Sequence, residues 1–453
     1  MDASLLTLDL DRARLEGSVI DRNHGDYDRL RRVWNGMVDR RPAAIIRARS
    51  AEDVAKAVRV AAERQLPLAV RCGGHSFPGL STCDDGILLD LSLMKDIAID
   101  PAARRAGVGG GALLADLDAA GAPHGLVTPA GVVSHTGVGG LTLGGGMGWL
   151  SRRFGLTIDN LVGAEVVTAD GRLRRTSLEA EPELFWAIRG GGGNFGVVTH
   201  FSFVLHPLGP VAVGQWVYPT SEAAAALRGY CDVAADAPRE LTTIFVLTPA
   251  ELTIKALWSG SPTGWETAFA RLGSLGHASS SKIGGTSFIE LQKASDERMS
   301  AGRRYYAKGG FFAEIDQAKV RMLTDTMADA PTADAEVYVL QLGGAVGDRD
   351  ENATPYTGRA AGFYWIVEPA WDDPTDDASC LAWGRKTAGR LAAVSMRGNY
   401  VNEQSETGLA ASAYGEEKYQ RLARLKGRFD PTNLFRLNQN IEPGCRTDIP
   451  AMR

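Results

Sequence analysis

Residues 42–79 read PAAIIRARSAEDVAKAVRVAAERQLPLAVRCGGHSFPG and contain the clearest fold signal of the chain. An apolar run, a helical stretch capped by Ser50 and a second apolar run predict a β-α-β unit, with acidic residues in the first helical turn. The second predicted strand continues directly into RCGGHSFPG (71–79), and GILLDLS (86–92) predicts another buried strand. The sequence therefore places a glycine loop at the end of a buried strand.

The loop Arg71-Cys72-Gly73-Gly74-His75-Ser76 has the residue types that an anion site requires. Glycines adopt positive φ freely and carry no Cβ, so their backbone N–H groups can converge on a phosphate. A plain glycine turn explains the GGH motif equally well. His75 has no HExxH motif or His/Cys cluster around it, so the sequence does not support a metal site.

A second glycine segment, GVGGLTLGGGMGWL (137–150), has spacing close to a dinucleotide fingerprint. No apolar strand immediately precedes it, and glycines 144–146 would destabilise the helix that such a fingerprint opens, by about 1 kcal/mol each. We therefore expect not a Rossmann fold here but a backbone that lies flat against an extended cofactor. A GxSxG elbow is also missing, so no hydrolase triad is indicated.

The rest of the chain divides into a first region, a middle region and a tail. AEVVTADGRLRR (164–175) predicts a hairpin that turns at Asp170 and Gly171, and LFWAIRGGGGNFGVVTHFSFVLH (184–206) closes the first region. The middle region reads as an α+β domain. Its helix candidates are residues 221–236 and 314–328, and its strand candidates include TTIFVL (242–247), EVYVLQL (336–342) and GFYWIV (362–367).

Composition excludes several classes of protein. The 453 residues are 44% hydrophobic and 23% charged with a formal net charge of −5, which is typical of a globular enzyme without a nucleic-acid partner. No apolar run of about 20 residues could span a bilayer. MDASLLTLDLDRAR (1–14) lacks the features of an export signal, and five cysteines without CxxC spacing read as reduced thiols. We expect a soluble cytoplasmic protein.

Taken together, the motifs resemble the FAD-linked oxidases of the p-cresol methylhydroxylase type and, within them, the bacterial berberine-bridge-enzyme-like branch. The resemblance runs through most of the chain, in the blocks 33–58, 71–94, 129–171, 183–201 and 425–443. It implies an α+β fold with a two-part FAD-binding domain. Residues 1–207 would form its first part, residues 396–453 would complete it, and residues 208–395 would form an α+β substrate domain with an antiparallel sheet.

The same resemblance implies where FAD binds. Its diphosphate would lie on the 71–76 loop, and His75 would bond to the 8α-methyl group of the flavin. Many relatives add a cysteine link at the position of Val133, so a single covalent link is expected here. The implied cofactor-binding residues are Arg71, Cys72, Gly73, Gly74, His75, Ser76, Gly131, Val133, Ser134, His135, Gly137, Gly140, Gly144, Gly145, Gly148, Gly196, Val198, Asn402, Asn438 and Asn440.

Three residues are the implied catalytic candidates. Many relatives carry YxNY in the carboxy-terminal block, where the second tyrosine is the base, whereas NYVNEQSE (399–406) has Glu403 there. A buried carboxylate with a raised pKa could serve as the base. Alternatively, Glu403 faces solvent and the base lies elsewhere, with Tyr400 as a candidate. Thr136 would admit or bind oxygen, unless residues 133–136 only pack under the ring.

The implied reaction is hydride transfer from a small organic substrate to flavin N5, with O₂ as acceptor and H₂O₂ as product. An alcohol, a phenol or a natural-product intermediate would be the substrate. Alternatives are a dehydrogenase with another acceptor, a monooxygenase-like or cyclising enzyme, and a catalytically idle FAD-binding protein. EVYVLQLGG (336–344) and YYAKGGFFAEI (305–315) would face the substrate. Aromatic residues there favour an apolar or aromatic substrate, namely Tyr306, Phe311, Phe312, Tyr338 and Tyr364.

Overall fold

The computed structural model of the protein describes residues 14–444. In this range the α-helices are α1 (Tyr27–Arg31), α2 (Ala51–Glu63), α3 (Leu114–Gly121), α4 (Val138–Gly144), α5 (Ser151–Phe154), α6 (Pro182–Ile188), α7 (Thr220–Ala235), α8 (Trp265–Gly273), α9 (Phe288–Lys293), α10 (Gln317–Asp325), α11 (Asp377–Ala392), α12 (Ala410–Tyr414) and α13 (Glu416–Phe429). Short 3₁₀ helices span Ala122–His124, Thr157–Asp159, Gly192–Phe195, Thr326–Asp329, Gly344–Val346, Glu351–Ala353 and Pro374–Asp376.

The first sheet has four strands in the order β1-β2-β4-β3. They are β1 (Ser18–Asp21), β2 (Ala44–Arg47), β3 (Leu68–Arg71) and β4 (Ile87–Asp90). β2 and β3 both run parallel to β4, and α2 connects them across one face, which confirms the predicted β-α-β unit. Ser50 caps α2 by accepting a hydrogen bond from the backbone nitrogen of Asp53. The 71–76 loop therefore leaves the carboxyl end of a buried strand.

The second sheet is antiparallel and lies in the same part of the chain. Its order is β5-β6-β10-β8-β9, and a short pair β11-β7 lies beside it. The strands are β5 (Ile97–Asp100), β6 (Arg105–Gly109), β7 (Leu126–Val127), β8 (Leu161–Val167), β9 (Leu173–Thr176), β10 (Val197–Val204) and β11 (His206–Pro207). β8 and β9 form the predicted hairpin, with Gly171 at φ +69° in the turn.

The segment 137–150 corrects one expectation. Part of it forms the helix α4, although backbone that lies flat against a cofactor was expected. The helix ends where Gly145 and Gly146 take φ values of +137° and +74°. The glycine run therefore terminates a short helix, and the segment has no preceding parallel strand of the Rossmann kind.

The third sheet has eight strands and is antiparallel throughout. Its order is β15-β12-β14-β13-β18-β19-β16, and β17 also pairs with β19. The strands are β12 (Val211–Pro219), β13 (Leu241–Leu247), β14 (Glu251–Trp258), β15 (Ser280–Thr286), β16 (Arg304–Tyr305), β17 (Lys308–Phe312), β18 (Ala335–Gln341) and β19 (Phe363–Trp371). The three quoted strand predictions and both helix predictions of the middle region are confirmed as β13, β18, β19, α7 and α10.

The carboxy-terminal tail packs back into the first part of the chain. Leu422, Phe429 and Ile441 are buried in one apolar cluster with side chains of β6, β10 and α6. The α+β fold with a first unit completed by the tail is therefore confirmed. The boundaries at residues 207 and 395 stay predictions.

Residues 1–13, on which the expectation of no export signal mostly rested, lie outside the described residues, as does Cys445. The four described cysteines, Cys72, Cys83, Cys231 and Cys380, are free thiols. Within residues 14–444 no helix is both long and apolar enough to cross a bilayer. The cytoplasmic location stays a prediction.

Candidate active site

A large cavity lies between the first unit and one face of the third sheet. Including the space at its mouth, it encloses about 2360 Å³. The first unit contributes the loops 72–76, 131–137 and 192–198, and the tail contributes residues 400–404 and 437–439. Strands β13, β14, β18 and β19 form the opposite wall. The cavity therefore extends from a glycine-rich side to a side built from sheet residues.

Two glycines bring the 71–76 loop and the 131–137 loop into backbone contact. A methyl group on Gly73 would lie 2.4 Å from the backbone nitrogen of Gly137, and one on Gly137 would lie 2.4 Å from the nitrogen of Gly73. Any other residue at either position would separate the two loops. Their close approach sets the geometry of His75, which follows two residues after Gly73.

His75 lines the cavity in a fixed orientation. Its Nε2 lies 2.6 Å from Nδ1 of His135, and the ring of Trp34 stacks on it with centroids 4.7 Å apart. Tyr305 stacks on the other face of Trp34 at 3.8 Å. Burial, with a smaller effect of His135, lowers the pKa of His75 to about 3. His75 is therefore a neutral imidazole at physiological pH.

The cavity fits the dinucleotide that the sequence resemblance implies. A methyl group on Gly140 would meet no protein atom within 4 Å, so at this position bare backbone borders open space. Ser81 Oγ, Asn438 Oδ1 and Gln439 Oε1 are buried in the wall without hydrogen-bond partners in the described part of the chain. Buried polar atoms usually have partners, so these atoms indicate a polar ligand. A long, glycine-lined cavity with unsatisfied polar atoms suits FAD.

Most of the predicted cofactor-binding residues line this cavity. They are Cys72, Gly73, Gly74, His75, Ser76, Gly131, Val133, Gly137, Gly140, Gly196, Val198, Asn402 and Asn438. Their individual contacts with FAD stay predictions.

The other predicted cofactor-binding residues lie behind the wall, and their surroundings explain why. The Arg71 guanidinium pairs with Asp90 at 3.0 Å and also bonds backbone carbonyls. Ser134 bonds Asp296, and His135 bonds His75. Gly144, Gly145 and Gly148 pack against Asn402, Tyr356 and the Ala130 carbonyl, and Asn440 donates to Glu442. These residues are not among those that line the cavity, and their contacts with FAD stay predictions.

Among the described cysteines, Cys72 is the one that lines the cavity. Val133 lines the cavity where many relatives were expected to carry a cysteine. Burial raises the pKa of the Cys72 thiol to about 11, and its Sγ lies 3.4 Å from the Ala112 carbonyl. Since a thiolate is the reactive form, Cys72 is unreactive near neutral pH.

Glu403 lines the cavity from the tail, and its side chain is half-buried. Burial raises the pKa of its carboxyl to about 7, partly offset by the neighbouring Tyr364 hydroxyl. A carboxylate with this pKa can accept a proton near neutral pH. The role of Glu403 as the general base stays a prediction.

Tyr400 also lines the cavity, but its hydroxyl is already occupied. It accepts hydrogen bonds from the Gly146 nitrogen at 3.2 Å and from the Asn402 amide at 3.0 Å. Burial and the charge of Glu403 raise its pKa well above the usual value for tyrosine. Tyr400 is therefore a poorer base than Glu403. Thr136 lines the cavity next to Gly137, and its role toward oxygen stays a prediction.

Sequence reasoning missed a cluster of four charged side chains on the opposite wall of the cavity. Lys255, Arg298, Glu336 and Glu368 all line the cavity, and Arg298 forms an ion pair with Glu336. Glu336 lies directly opposite Glu368 in the β18–β19 ladder, an arrangement that is unfavourable for like charges. Burial, followed by the charge of Glu403, raises the pKa of Glu368, while Arg298 opposes the shift. Lys255, Glu336 and Glu368 each interrupt a run of apolar strand residues. Such a charge in an apolar strand is a sequence signal that could have revealed them.

The predicted aromatic wall is only partly present. Tyr338 and Tyr364 line the cavity, whereas Tyr306, Phe311 and Phe312 are buried in apolar packing away from it. β17 pairs with β19 on the side away from β18, and none of its residues lines the cavity. The wall therefore combines aromatic and charged side chains. Of the two segments that were expected to face the substrate, 336–344 lines the cavity and 305–315 does not.

One segment of the middle region is fastened to the first unit. Asp296 accepts hydrogen bonds from the backbone nitrogen of Ser134 at 2.9 Å and from its hydroxyl at 2.6 Å. Trp34 Nε1 donates to the Met299 carbonyl at 2.6 Å. Since Arg298 and Met299 line the cavity, these bonds hold part of its wall in place.

We expect Asp296→Ala to lower the free energy of unfolding by about 1.5–3 kcal/mol, because it leaves the buried Ser134 without its charged partner. Urea unfolding of the purified protein would measure the loss. The matched variant Asp296→Asn keeps an acceptor and should lose less. Equal stability of all three proteins would show that the contact does not hold the wall.

Comparison with known proteins agrees with this geometry. A family model described as an FAD binding domain matches residues 42–177, and one described as berberine and berberine like matches residues 399–442. An FAD-linked oxidoreductase from Dictyostelium discoideum is 34% identical over 95% of each chain. (R)-6-Hydroxynicotine oxidase from Paenarthrobacter nicotinovorans is 32% identical over 95% of this chain and 97% of its own. The crystal structure of 6-hydroxy-D-nicotine oxidase from Arthrobacter nicotinovorans superimposes with a TM-score of 0.87, at 32% identity over 95% of this chain and 99% of that one.

Proposed function

The chain belongs to the berberine-like family of FAD-linked oxidoreductases, and from this premise we propose that it is an oxidase of a small organic substrate. When bound, FAD supplies a two-electron acceptor for the hydride that leaves a substrate C–H bond. The chain must then remove the proton from an adjacent O–H or N–H group. The observation that carries the proposal is the Glu403 carboxyl, which lines the cavity and has its pKa raised to about 7.

Proton removal is assigned to Glu403. Its carboxyl faces the cavity beside Tyr364, and the backbone nitrogen of Glu403 donates to the Tyr400 carbonyl at 3.4 Å. Tyr400 itself is held by the Gly146 nitrogen, so the base sits on a braced turn. A base that is already oriented spends little free energy on reorganisation during proton transfer.

Binding of the substrate is assigned to the wall of the third sheet. Tyr338 and Tyr364 offer aromatic surface to an apolar or aromatic skeleton. Arg298 offers charge and Glu368 offers a carboxyl group to a polar group on the same molecule. Burial and the nearby Arg298 lower the pKa of Lys255. An alcohol, a phenol or a natural-product intermediate with both features would fit.

Attachment of FAD is assigned to His75 alone. The residues that would hold the cofactor are the 72–76 loop, the start of α4, the 192–198 loop and Asn438. His75 is neutral and lines the cavity, as a nucleophile toward the flavin must. Val133 has no thiol, and the protonated Cys72 is unreactive, so a second link is not expected.

The electron acceptor is proposed to be O₂, with H₂O₂ as the product. The test is to mix the protein anaerobically with alcohols, phenols and amines, identify those that bleach the flavin, and then admit air. Rapid recovery of the yellow colour with one H₂O₂ per substrate is the expected result. Recovery only with an artificial acceptor would indicate a dehydrogenase, and a product with an added oxygen atom would indicate a monooxygenase-like enzyme.

A further inference from the structure

One lysine of the third sheet lines the cavity without a partner for its charge. Lys255 lies on β14 and is half-buried in the wall, and its Nζ forms no hydrogen bond or ion pair with any residue of 14–444. Arg298, the other cation of this wall, is paired with Glu336. Burial and the nearby Arg298 lower the pKa of Lys255, and no described carboxylate opposes this shift. Lys255 is therefore a cation that the described part of the chain does not neutralise.

Solvation by bulk water does not account for this lysine. Lys282 on β15 belongs to the same cross-strand row, two strands further out, where it is exposed and does not line the cavity. Lys255 instead lies beside the buried Ile244 of β13 in the cavity wall. A ligand that fills the cavity would displace the water around the Lys255 ammonium, and a desolvated cation without a partner is strongly unfavourable. A ligand that fits this wall therefore brings a negative charge with it.

The charge balance of the four-residue cluster favours a single negative charge on the ligand. The ion pair of Arg298 and Glu336 leaves no net charge, and burial raises the pKa of Glu368, which favours its neutral form. Within this cluster Lys255 then contributes the charge that is not balanced. One positive charge matches a carboxylate better than a phosphate, which carries about two negative charges near neutral pH.

The register of the sheet fixes where this charge lies relative to Glu403. Lys255 pairs with Ile244, and Ile244 pairs with Leu340. Leu340 pairs in turn with Tyr364, so the four side chains form one row along the cavity wall. Three strand spacings of about 4.8 Å separate the backbones of Lys255 and Tyr364, about 14 Å in all. The Glu403 carboxyl lies beside the Tyr364 hydroxyl, so an apolar stretch separates the cation from the candidate base.

We propose that Lys255 is a specificity-determining residue, which binds a carboxylate at one end of the substrate while Glu403 faces the oxidisable O–H or N–H group at the other. The inference rests on the proposed function, because it takes the position of the reacting group from Glu403. Ile244 and Leu340 would contact an apolar or aromatic body between the two ends. The FAD diphosphate is a poor alternative partner, since the glycine loop that is expected to hold it lies on the opposite wall.

The test measures binding of phenylacetate, phenylpropionate and phenylbutyrate to the flavin-containing protein, each against its neutral amide. Titration calorimetry gives the dissociation constants, and flavin content and flavin reduction are measured on the same samples. Lys255→Met and Lys255→Gln remove the charge, and Lys255→Arg restores a cation. Lys282→Met is the matched control, because it removes a lysine from the same row outside the cavity.

We expect at least one acid to bind wild type about 10–100-fold more tightly than its amide, the usual contribution of a hydrogen bond to a charged group. This preference should disappear in Lys255→Met and Lys255→Gln. It should be largely kept in Lys255→Arg and unchanged in Lys282→Met. If one neutral variant does not fold, the other decides the comparison.

Equal affinity of wild type for each acid and its amide would overturn the inference, as would an acid preference that persists in the neutral variants. Loss of FAD from the neutral variants would assign Lys255 to the cofactor and overturn it as well. Because binding is measured without turnover, failure of the proposed function is distinguishable. An acid preference that depends on Lys255, in a protein whose flavin no tested compound reduces, would support the carboxylate site and contradict the oxidase.

Discussion

Replacement of Glu403 by glutamine is expected to slow oxidation of a bleaching substrate by about 10²–10⁴-fold, the usual contribution of a general base. Glutamine keeps the shape of the side chain but cannot accept the proton. In wild type the carboxylate is the active form and its pKa is raised to about 7. The rate should therefore rise as the pH increases through about 7, and this limb should be absent in the variant. Single-turnover flavin reduction across the pH range measures both effects.

The control for this variant is Glu406→Gln. Glu406 lies three residues further along the same turn, pairs with Lys308 at 2.7 Å and does not line the cavity. Its replacement should leave the rate and its pH dependence unchanged. Because burial raises the pKa of Glu403 from 4.5 to about 7, the folded state loses stability as the pH rises between these two values, and the Glu403→Gln protein should be no less stable than wild type at pH 7 and above. An unchanged pH profile in Glu403→Gln would assign the base to another group.

Replacement of Lys426 by methionine is expected to lower the free energy of unfolding by about 3–5 kcal/mol, because it breaks a fully buried ion pair. Lys426 Nζ donates to Asp430 at 2.7 Å and to the backbone carbonyls of Asn194 and Phe435. Neither side chain of the pair is exposed to solvent. Removing the cation leaves the Asp430 carboxylate and two carbonyls without their shared partner.

The same lysine joins the tail to the cavity. Asn194 lines the cavity, and its amide donates to the Gln439 carbonyl, so Lys426 braces two of the loops that would hold FAD. Urea unfolding would measure the stability loss, and the loss of FAD during dialysis of a His75→Ala background would measure the effect on binding. Lys386→Met is the matched control, because its pair with Asp329 is about half exposed and should contribute less than about 1 kcal/mol. Equal losses in the two variants would contradict the role given to the buried pair.

The sequence predicted those helices, strands and turns that depend on a few neighbouring residues. The Ser50-capped helix, the strands around it and the Asp170–Gly171 hairpin depend on spacing and turn chemistry alone. The glycine loop with His75 was placed at a strand end for the same reason. The family resemblance added two expectations that residue spacing cannot give. These are that the tail completes the first unit and that Glu403 is a candidate base.

Features that depend on long-range packing were missed. The glycines at 144–146 argued against a helix in this segment, yet a helix forms at Val138–Gly144, where several of its residues line the cavity. Glu336 and Glu368 meet because β18 and β19 pair in one register, and Arg298 reaches them from a separate loop. The contact between His75 and His135 likewise requires that two glycine loops cross, and neither loop contains this information by itself.

The central claim is that this oxidoreductase carries FAD on His75, and its most direct test is acid precipitation of the purified yellow protein followed by mass analysis of its peptides. We expect the colour in the pellet and a single flavin-mass adduct on the peptide that contains His75, with none on Cys72. Colour in the supernatant, or an adduct on another residue, would contradict the claim.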